Sequence, residues 1–303
     1  MKPTQINYYM PKMSSKVVHL LMGFMELGIK SNSLEKLNQE SIARKKEKKS
    51  KAGSGLTLLE IVFEDRSSTK FWFDLGASPK VYPSIVKDNE LYFKIQYHKK
   101  YAKHPFIRPI AESVSRPGFY FDNLDFLRQE KLKKDYKYDV VGLFRKVSLH
   151  KRVACVKKVL EQKDWNSYVT VYDHHGLHIG NTGLVKKLGY IEHLKLQTHS
   201  KICLSIADKA CRCFRDTEIL GFGGCLLVFG LDDYPDFPYD KPCWISIKED
   251  FSDFVEKVDY YLCHDKEREE IARRGLEYYE QYLSPKAMAK MVLDQCKELK
   301  DKR

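Results

Sequence analysis

Residues 201–229 read KICLSIADKACRCFRDTEILGFGGCLLVF, and charged residues stand there between two strand-like apolar runs. Lys201 to Ile206 and Cys225 to Phe229 have the short, mainly apolar character of strands buried on both faces. The segment between them must cross over, and its length predicts a short helix. Arg215, Asp216 and Thr217 then lie in the first turn, where unpaired backbone N–H groups and the helix dipole favour an anion such as a diphosphate. Glu218 follows Arg215 by three residues and shares its helical face. A guanidinium grips phosphate oxygens bidentately and a carboxylate accepts from both hydroxyls of a ribose, so the pair suits a nucleotide diphosphate. The alternative is a surface ion pair on an ordinary crossover helix. Gly223 and Gly224 are expected to supply a left-handed stop and a close packing point before the next strand.

Outward from this stretch the second half keeps a regular rhythm. Tyr138 to Phe144 reads as a buried strand, Leu149 to Gln162 as a helix, and Tyr168 to Tyr172 as the next strand. Asp173-His-His-Gly176 follows as a loop, Leu184 to Ser200 contains a helix, and Trp244 to Ile247 is a short strand. This alternation predicts a doubly wound parallel sheet. Three helices close the chain: Ser252 to Cys263, Lys266 to Tyr282, and Pro285 to Leu299 with proline in its first turn.

The first half opens with a strand over Gln5 to Met10 and a helix from Ser14 or Ser15 to Leu27. A second helix over Leu34 to Lys46 precedes a basic loop, a hairpin (Leu56 to Phe63, Lys70 to Leu75) and strands at Leu91 to Ile95 and Phe106 to Ile110. The polar stretch 128–137 (RQEKLKKDYK) marks an expected boundary near residue 135, giving domains 1–135 and 136–303.

The 303 residues, 43% of them hydrophobic, exclude wholesale disorder. The best membrane-span candidate, Val17 to Ile29, is too short and carries His19 and Glu26. No apolar core of signal-peptide type stands at the start, so a cytoplasmic protein is expected. Eight cysteines without CxxC spacing read as reduced and structural. The formal net charge of +12 favours acidic ligands. Part of it lies in the run Arg44 to Lys51, either a solvated loop or a peripheral contact with anionic membrane.

The residues Arg215-Asp-Thr-Glu-Ile-Leu-Gly-Phe-Gly-Gly224 match the R-x-x-E-x-x-x-x-G-G signature of group 1, spore-maturation-type glycosyltransferases, which the chain resembles over about residues 138–285. The strand and basic turn YDVVGLFRKVSLHKR (138–152), the aromatic and proline loop 234–239, the acidic Glu249 to Asp253 and the Arg-rich 268–275 fit the same pattern. One departure is that Phe144, rather than the family's frequent glycine, precedes Arg145. The resemblance implies a GT-B fold, with two Rossmann-like domains facing a cleft and the nucleotide sugar on the second. Arg145, His174, His175, Arg215, Glu218, Gly223 and Gly224 become the donor-site candidates, the two histidines having the alternative of exposed loop residues. The acceptor is expected to be a glycan or a lipid-linked sugar. A general base would come from the first half, with Asp74, Asp88, His98 and His104 as candidates.

The chain has no Asp-x-Asp, so neither metal nor other cofactor is expected beyond the donor itself. Two rivals remain: a basic nucleic-acid-binding protein, although no recognised nucleic-acid motif accompanies the charge, and a catalytically inactive GT-B scaffold. Turnover is expected to survive excess chelator; complete loss restored by manganese overturns the metal-independent reading.

Overall fold

The computed structural model describes residues 2–9, 14–47, 55–76, 80–145, 150–172, 178–180, 188–206, 213–229 and 242–301. Two compact units divide the described chain: one runs to Val114 and resumes at Gln281, and the other lies between Ser115 and Glu280.

The first unit begins with β1 (Pro3–Tyr8), α1 (Ser15–Glu26), β2 (Lys30–Ser33), α2 (Glu35–Glu47), β3 (Leu56–Phe63), β4 (Ser68–Asp74), β5 (Leu91–Lys94) and β6 (Ile107–Pro109). Its sheet has the order β2-β1-β3-β4-β5-β6. The β1–β2, β4–β5 and β5–β6 pairs are parallel, while β3 runs antiparallel to both β1 and β4. The expected hairpin is therefore built into the middle of the sheet, which makes this unit mixed rather than simply doubly wound. Strand β2 has the sequence KSNS, entirely exposed, so no apolar pattern announces it.

In the second unit come α3 (Pro117–Phe121), α4 (Leu124–Leu132), β7 (Tyr138–Arg145), α5 (His150–Glu161), β8 (Ser167–Tyr172), β9 (His178–Gly180), α6 (Tyr190–Thr198), β10 (Ser200–Ser205), α7 (Phe214–Gly221), β11 (Leu226–Phe229), β12 (Ile245–Ile247), α8 (Phe254–Cys263) and α9 (Asp265–Tyr278). Its sheet order is β12-β11-β10-β7-β8-β9, parallel throughout except for β9. Successive strands grow outward from β7 on one side, and the chain then returns to lay β10 on the other. This is the strand order of a dinucleotide-binding sheet, with its topological switch between β7 and β10. Val140, Phe144, Val169, Val171, Ile202, Leu204 and Leu227 fill the core between the sheet and α5 and α8.

The expected boundary near 135 moves to 114/115 for a packing reason. The polar stretch that reads as a linker is half helix, and α4 lies against α6. Leu127 is fully buried, Arg128 Nε donates to Gly221 O at 2.9 Å, and Lys131 Nζ donates to Ser200 O at 2.6 Å. Lys131 buries its stem as well as its head, so polarity in the one-letter code misrepresents its place.

The closing helix α10 (Pro285–Asp301) returns to the first unit, where it packs along α1. Val17, Leu20, Leu21 and Phe24 form the buried stripe of α1. Gly23 lies on the contact: a Cβ there would come within 1.8 Å of Pro285 O, so only glycine lets the two backbones meet. No helix among the described residues is long and apolar enough to cross a membrane.

His19, fully buried on α1, ties this unit together. Its Nδ1 accepts from Val114 N–H at 3.4 Å, which leaves the proton on Nε2 to be donated to Leu283 O at 3.0 Å. Burial lowers its pKa from 6.5 to about 4, against the opposing hydrogen bond to Leu283. The neutral ring is the folded form, so its contribution is complete above pH 6.5 and is lost as pH falls toward 4. Its loss is worth about 3 kcal/mol. Urea midpoints measured from pH 7 to pH 4 should fall, and should fall less steeply in His19→Gln; an equal slope in the variant contradicts this role.

Candidate functional site

In open α/β sheets ligands gather at the carboxyl ends of the strands, at the switch point. Helix α7 starts there. Its N-cap, Cys213, is extended, with φ −133° and ψ 162°. Cys213 N–H donates to Asp216 Oδ2 at 3.0 Å, and its Sγ reaches Asp216 Oδ1 at 3.3 Å and Ser205 Oγ, at the end of β10, at 2.9 Å. Asp216 thus closes a capping box. Burial pushes the Cys213 thiol up to about 12, so it serves here as a neutral donor.

Arg215 extends from the first turn of α7 to the end of β7. Its Nη2 donates to Leu143 O at 2.7 Å, and its guanidinium carbon stands 5.2 Å from the centre of the Phe144 ring. Its Nε is buried without a hydrogen-bond partner among the described residues. The guanidinium therefore bridges the two sides of the switch point and retains donor capacity.

Glu218 faces inward and is only 5% exposed. Its Oε1 accepts from Ser115 N–H at 2.8 Å and from Tyr190 Oη at 2.5 Å. Tyr120 Oη donates to the Glu218 backbone oxygen at 2.8 Å. Burial raises the carboxyl pKa, opposed by the hydrogen bonds from Tyr190 and Ser115 and by the charge of Arg215. Burial also raises both tyrosines, together with the nearby Glu218 charge, which keeps them protonated and donating. Arg215 and Glu218 engage different partners, so the alternative surface ion pair does not form.

The two expected glycine roles are visible. Gly223 has φ +80°, in the left-handed region, and a Cβ on Gly224 would come within 2.6 Å of the Phe222 ring and 2.8 Å of Ile219 Cγ2. Arg145 ends β7 opposite Tyr172. The Arg145 side chain, and His174 and His175 altogether, lie outside the described residues, as does the loop 234–239.

The four base candidates in the first unit stand in different local settings. Asp74, at the carboxyl end of β4, is 3% exposed and pairs with Lys94 at 3.0 Å, while also accepting from Tyr92 Oη at 2.5 Å and Gly76 N–H at 2.8 Å. Asp88 is exposed just before β5, at the amino end of the strand. His98 caps a short turn, its Nδ1 accepting from Lys100 N–H at 3.0 Å, and His104 packs edge-on against Phe106 with centroids 4.3 Å apart. Sequence reasoning missed Glu112, whose Oε2 is 3.0 Å from Lys16 Nζ and 3.3 Å from Gln96 Nε2, beyond the carboxyl ends of β5 and β6. It likewise missed Ser115, Tyr120 and Tyr190, which no local pattern links to Glu218.

The basic run offers less positive charge to a surface than its letters suggest. Arg44 is buried in α2, where Nη1 meets both Glu90 oxygens at 2.7 and 2.6 Å, and Nη2 meets Glu40. Lys45 Nζ donates to Leu56 O at 2.5 Å. These two residues are thereby withdrawn from the membrane contact expected of Arg44 to Lys51, and residues 48–51 lie outside the described residues. Among the described residues no group of three or more His, Cys, Asp or Glu side chains is arranged to hold a metal ion.

A family model described as "Glycosyl transferase-like" matches residues 125–294, more than half of the chain. No curated protein matches significantly. Among solved structures, a glycosyltransferase from Rickettsia africae ESF-5 is similar with a TM-score of 0.46 at 10% identity, over 92% of this chain and 87% of that one. TarM is similar with a TM-score of 0.39 at 9% identity, over 79% of this chain and 63% of its own.

Because Glu218 is held ionisable in a buried place, its folded pKa lies above the ordinary carboxylate value and ionisation opposes folding as pH rises through that window. Glu218→Gln, whose amide oxygen still accepts both hydrogen bonds, should match or exceed the parent in thermal midpoint at pH 7.5 and lose that advantage near pH 4. A variant destabilised equally at both pH values argues against a buried charge here.

Proposed function

Since the chain belongs to the glycosyl transferase-like family, we propose that it transfers a sugar from a nucleotide-diphosphate donor, held at the head of α7, to a glycan or lipid-linked acceptor. The observation that supports this reading is that α7 carries Arg215 and Glu218 at the β7/β10 switch, one with a buried Nε that has no partner among the described residues and the other inward-facing. In the proposed complex the diphosphate meets Arg215 and the first-turn N–H groups of α7, and the ribose hydroxyls meet Glu218 Oε2. The two hydrogen bonds to the carboxylate both fall on Oε1, and Oε2 is not among the sealed polar atoms without partners.

Breaking the glycosidic bond leaves negative charge on the departing diphosphate. A guanidinium already fixed by Leu143 O and Phe144 stabilises that charge without reorganising, and helix N–H dipoles add to it. This is why we propose that transfer proceeds without a metal. The R-x-x-E-x-x-x-x-G-G spacing of residues 215–224 supports a place near the spore-maturation-type group. The exposed Lys46 and the rest of the basic run to Lys51 would be the part left to meet anionic lipid.

The test is a thermal-shift panel of uridine, guanosine and adenosine diphosphates. A ligand at 100 times its dissociation constant stabilises the native state by about 2.7 kcal/mol. At least one should bind, and Arg215→Ala should weaken it by roughly 10- to 100-fold, as expected for a charged hydrogen bond. Binding of none of the three refutes the donor site; hydrolysis of a matching nucleotide sugar by the pure protein separates an enzyme from an inactive scaffold.

A further inference from the structure

We propose that Tyr190 is the positioning residue of the candidate donor site: its hydroxyl fastens Glu218 Oε1 so that Oε2 is left to face a ligand. The inference rests on the donor-site reading above and adds a residue that no motif in the chain identifies.

A glutamate side chain has three rotatable bonds, and fixing it costs rotamer entropy. Two donors from separate elements meet that cost. Ser115 N–H comes from the segment entering α3, and Tyr190 Oη from the first residue of α6. Both bonds end on the same oxygen, at 2.8 and 2.5 Å. A carboxylate gripped at one oxygen by two donors cannot rotate without breaking both, so the second oxygen has a set direction before any ligand arrives. Preorganisation of this kind strengthens binding by removing the ordering cost from the binding step.

Tyr190 is itself held. The Arg116 guanidinium carbon stands 5.5 Å from the centre of its ring, and Arg116 is exposed. On the far side of the Glu218 residue, Tyr120 Oη binds its backbone oxygen. Backbone and carboxylate are thus fixed by tyrosines from two different helices. Among the described residues the charged and titratable groups around Glu218 are Tyr120 on α3, Tyr190 on α6, Arg116 beside Tyr190, and Arg215 and Asp216 on α7 itself. Asp216 is a second carboxylate in this group, and its oxygens are engaged by Cys213.

The Tyr190 bond also favours the ionised form of Glu218 against the burial that opposes it. A tyrosine that merely filled space would leave the pH dependence of binding unchanged when its oxygen is removed. A positioning tyrosine would not.

The experiment is calorimetric titration of whole wild-type, Tyr190→Phe, Glu218→Gln and doubly substituted protein with whichever of uridine, guanosine or adenosine diphosphate the wild type binds, from pH 5 to pH 8. Tyr190→Phe removes one oxygen and keeps the ring beneath Arg116, and its thermal midpoint verifies the fold. Affinity should fall toward acid pH in the wild type. In Tyr190→Phe the half-loss should move upward by roughly one pH unit, the equivalent of one hydrogen bond to a charged group. In Glu218→Gln and in the double variant the acid limb should shrink to the part set by the diphosphate's own second ionisation, at about pH 6, and the two should agree, which assigns the remainder to Glu218 rather than Asp216. A wild type that binds while Tyr190→Phe keeps its pH midpoint, with or without uniformly weaker affinity, overturns the positioning role and leaves the donor site standing. A wild type that binds no nucleoside diphosphate overturns both.

Discussion

A carboxylate 5% exposed, meeting no cation within ion-pair distance among the described residues and held by a backbone N–H and a phenol, is the constraint on which the second unit's site depends. Burying an ionisable group without full compensation is unfavourable, and three elements must meet around Glu218 to make it tolerable. The segment at Ser115, the start of α6 and the inner face of α7 are each fixed by it. Tyr120 adds a third bond, to the backbone, so the position of α7 is set at both the side chain and the main chain.

Arg215 extends the same logic to the sheet. The sheet order β12-β11-β10-β7-β8-β9, parallel except for β9, reverses its direction of growth between β7 and β10, the point at which such sheets take their ligands. Cys213 ties the head of α7 to β10 through Ser205, and Arg215 ties it to β7 through Leu143 O. The head of the helix is thereby held at the switch point, with Arg215 Nε buried and without a partner among the described residues. A buried donor without a partner costs stability.

The first unit solves its polar burial differently. Lys94 with Asp74, Lys16 with Glu112, and Arg44 with Glu90 are ion pairs whose members are largely removed from water. Removing one partner of such a pair leaves a buried charge, which is strongly destabilising. They lie around a mixed sheet whose central strands are covered on both faces, while α10 returns to close α1 through the contact at Gly23. His19 fixes the two points near which the chain leaves and re-enters this unit, at Val114 and Leu283.

The sequence by itself determined the alternation of strand and helix from residue 138 onward, the helical start at Ser14, the hairpin at 56–74 and the turn that places Arg215 and Glu218 on α7. Those are properties of local period, caps and glycine, and neighbours in the chain are enough to decide them. It was silent on β2, whose four residues are all exposed, and on α3, and misleading on the end of α4, where a polar string conceals Lys131 turned inward. Tertiary structure alone decided what holds the site. Ser115 lies 103 residues from Glu218 and Tyr190 lies 28 away, separations at which no helical or strand period operates. The same holds for Arg215 and Leu143, 72 residues apart. Local periodicity fixes which face a residue occupies, but the partner on that face is chosen by how distant elements pack, and a buried charge finds its donors only there.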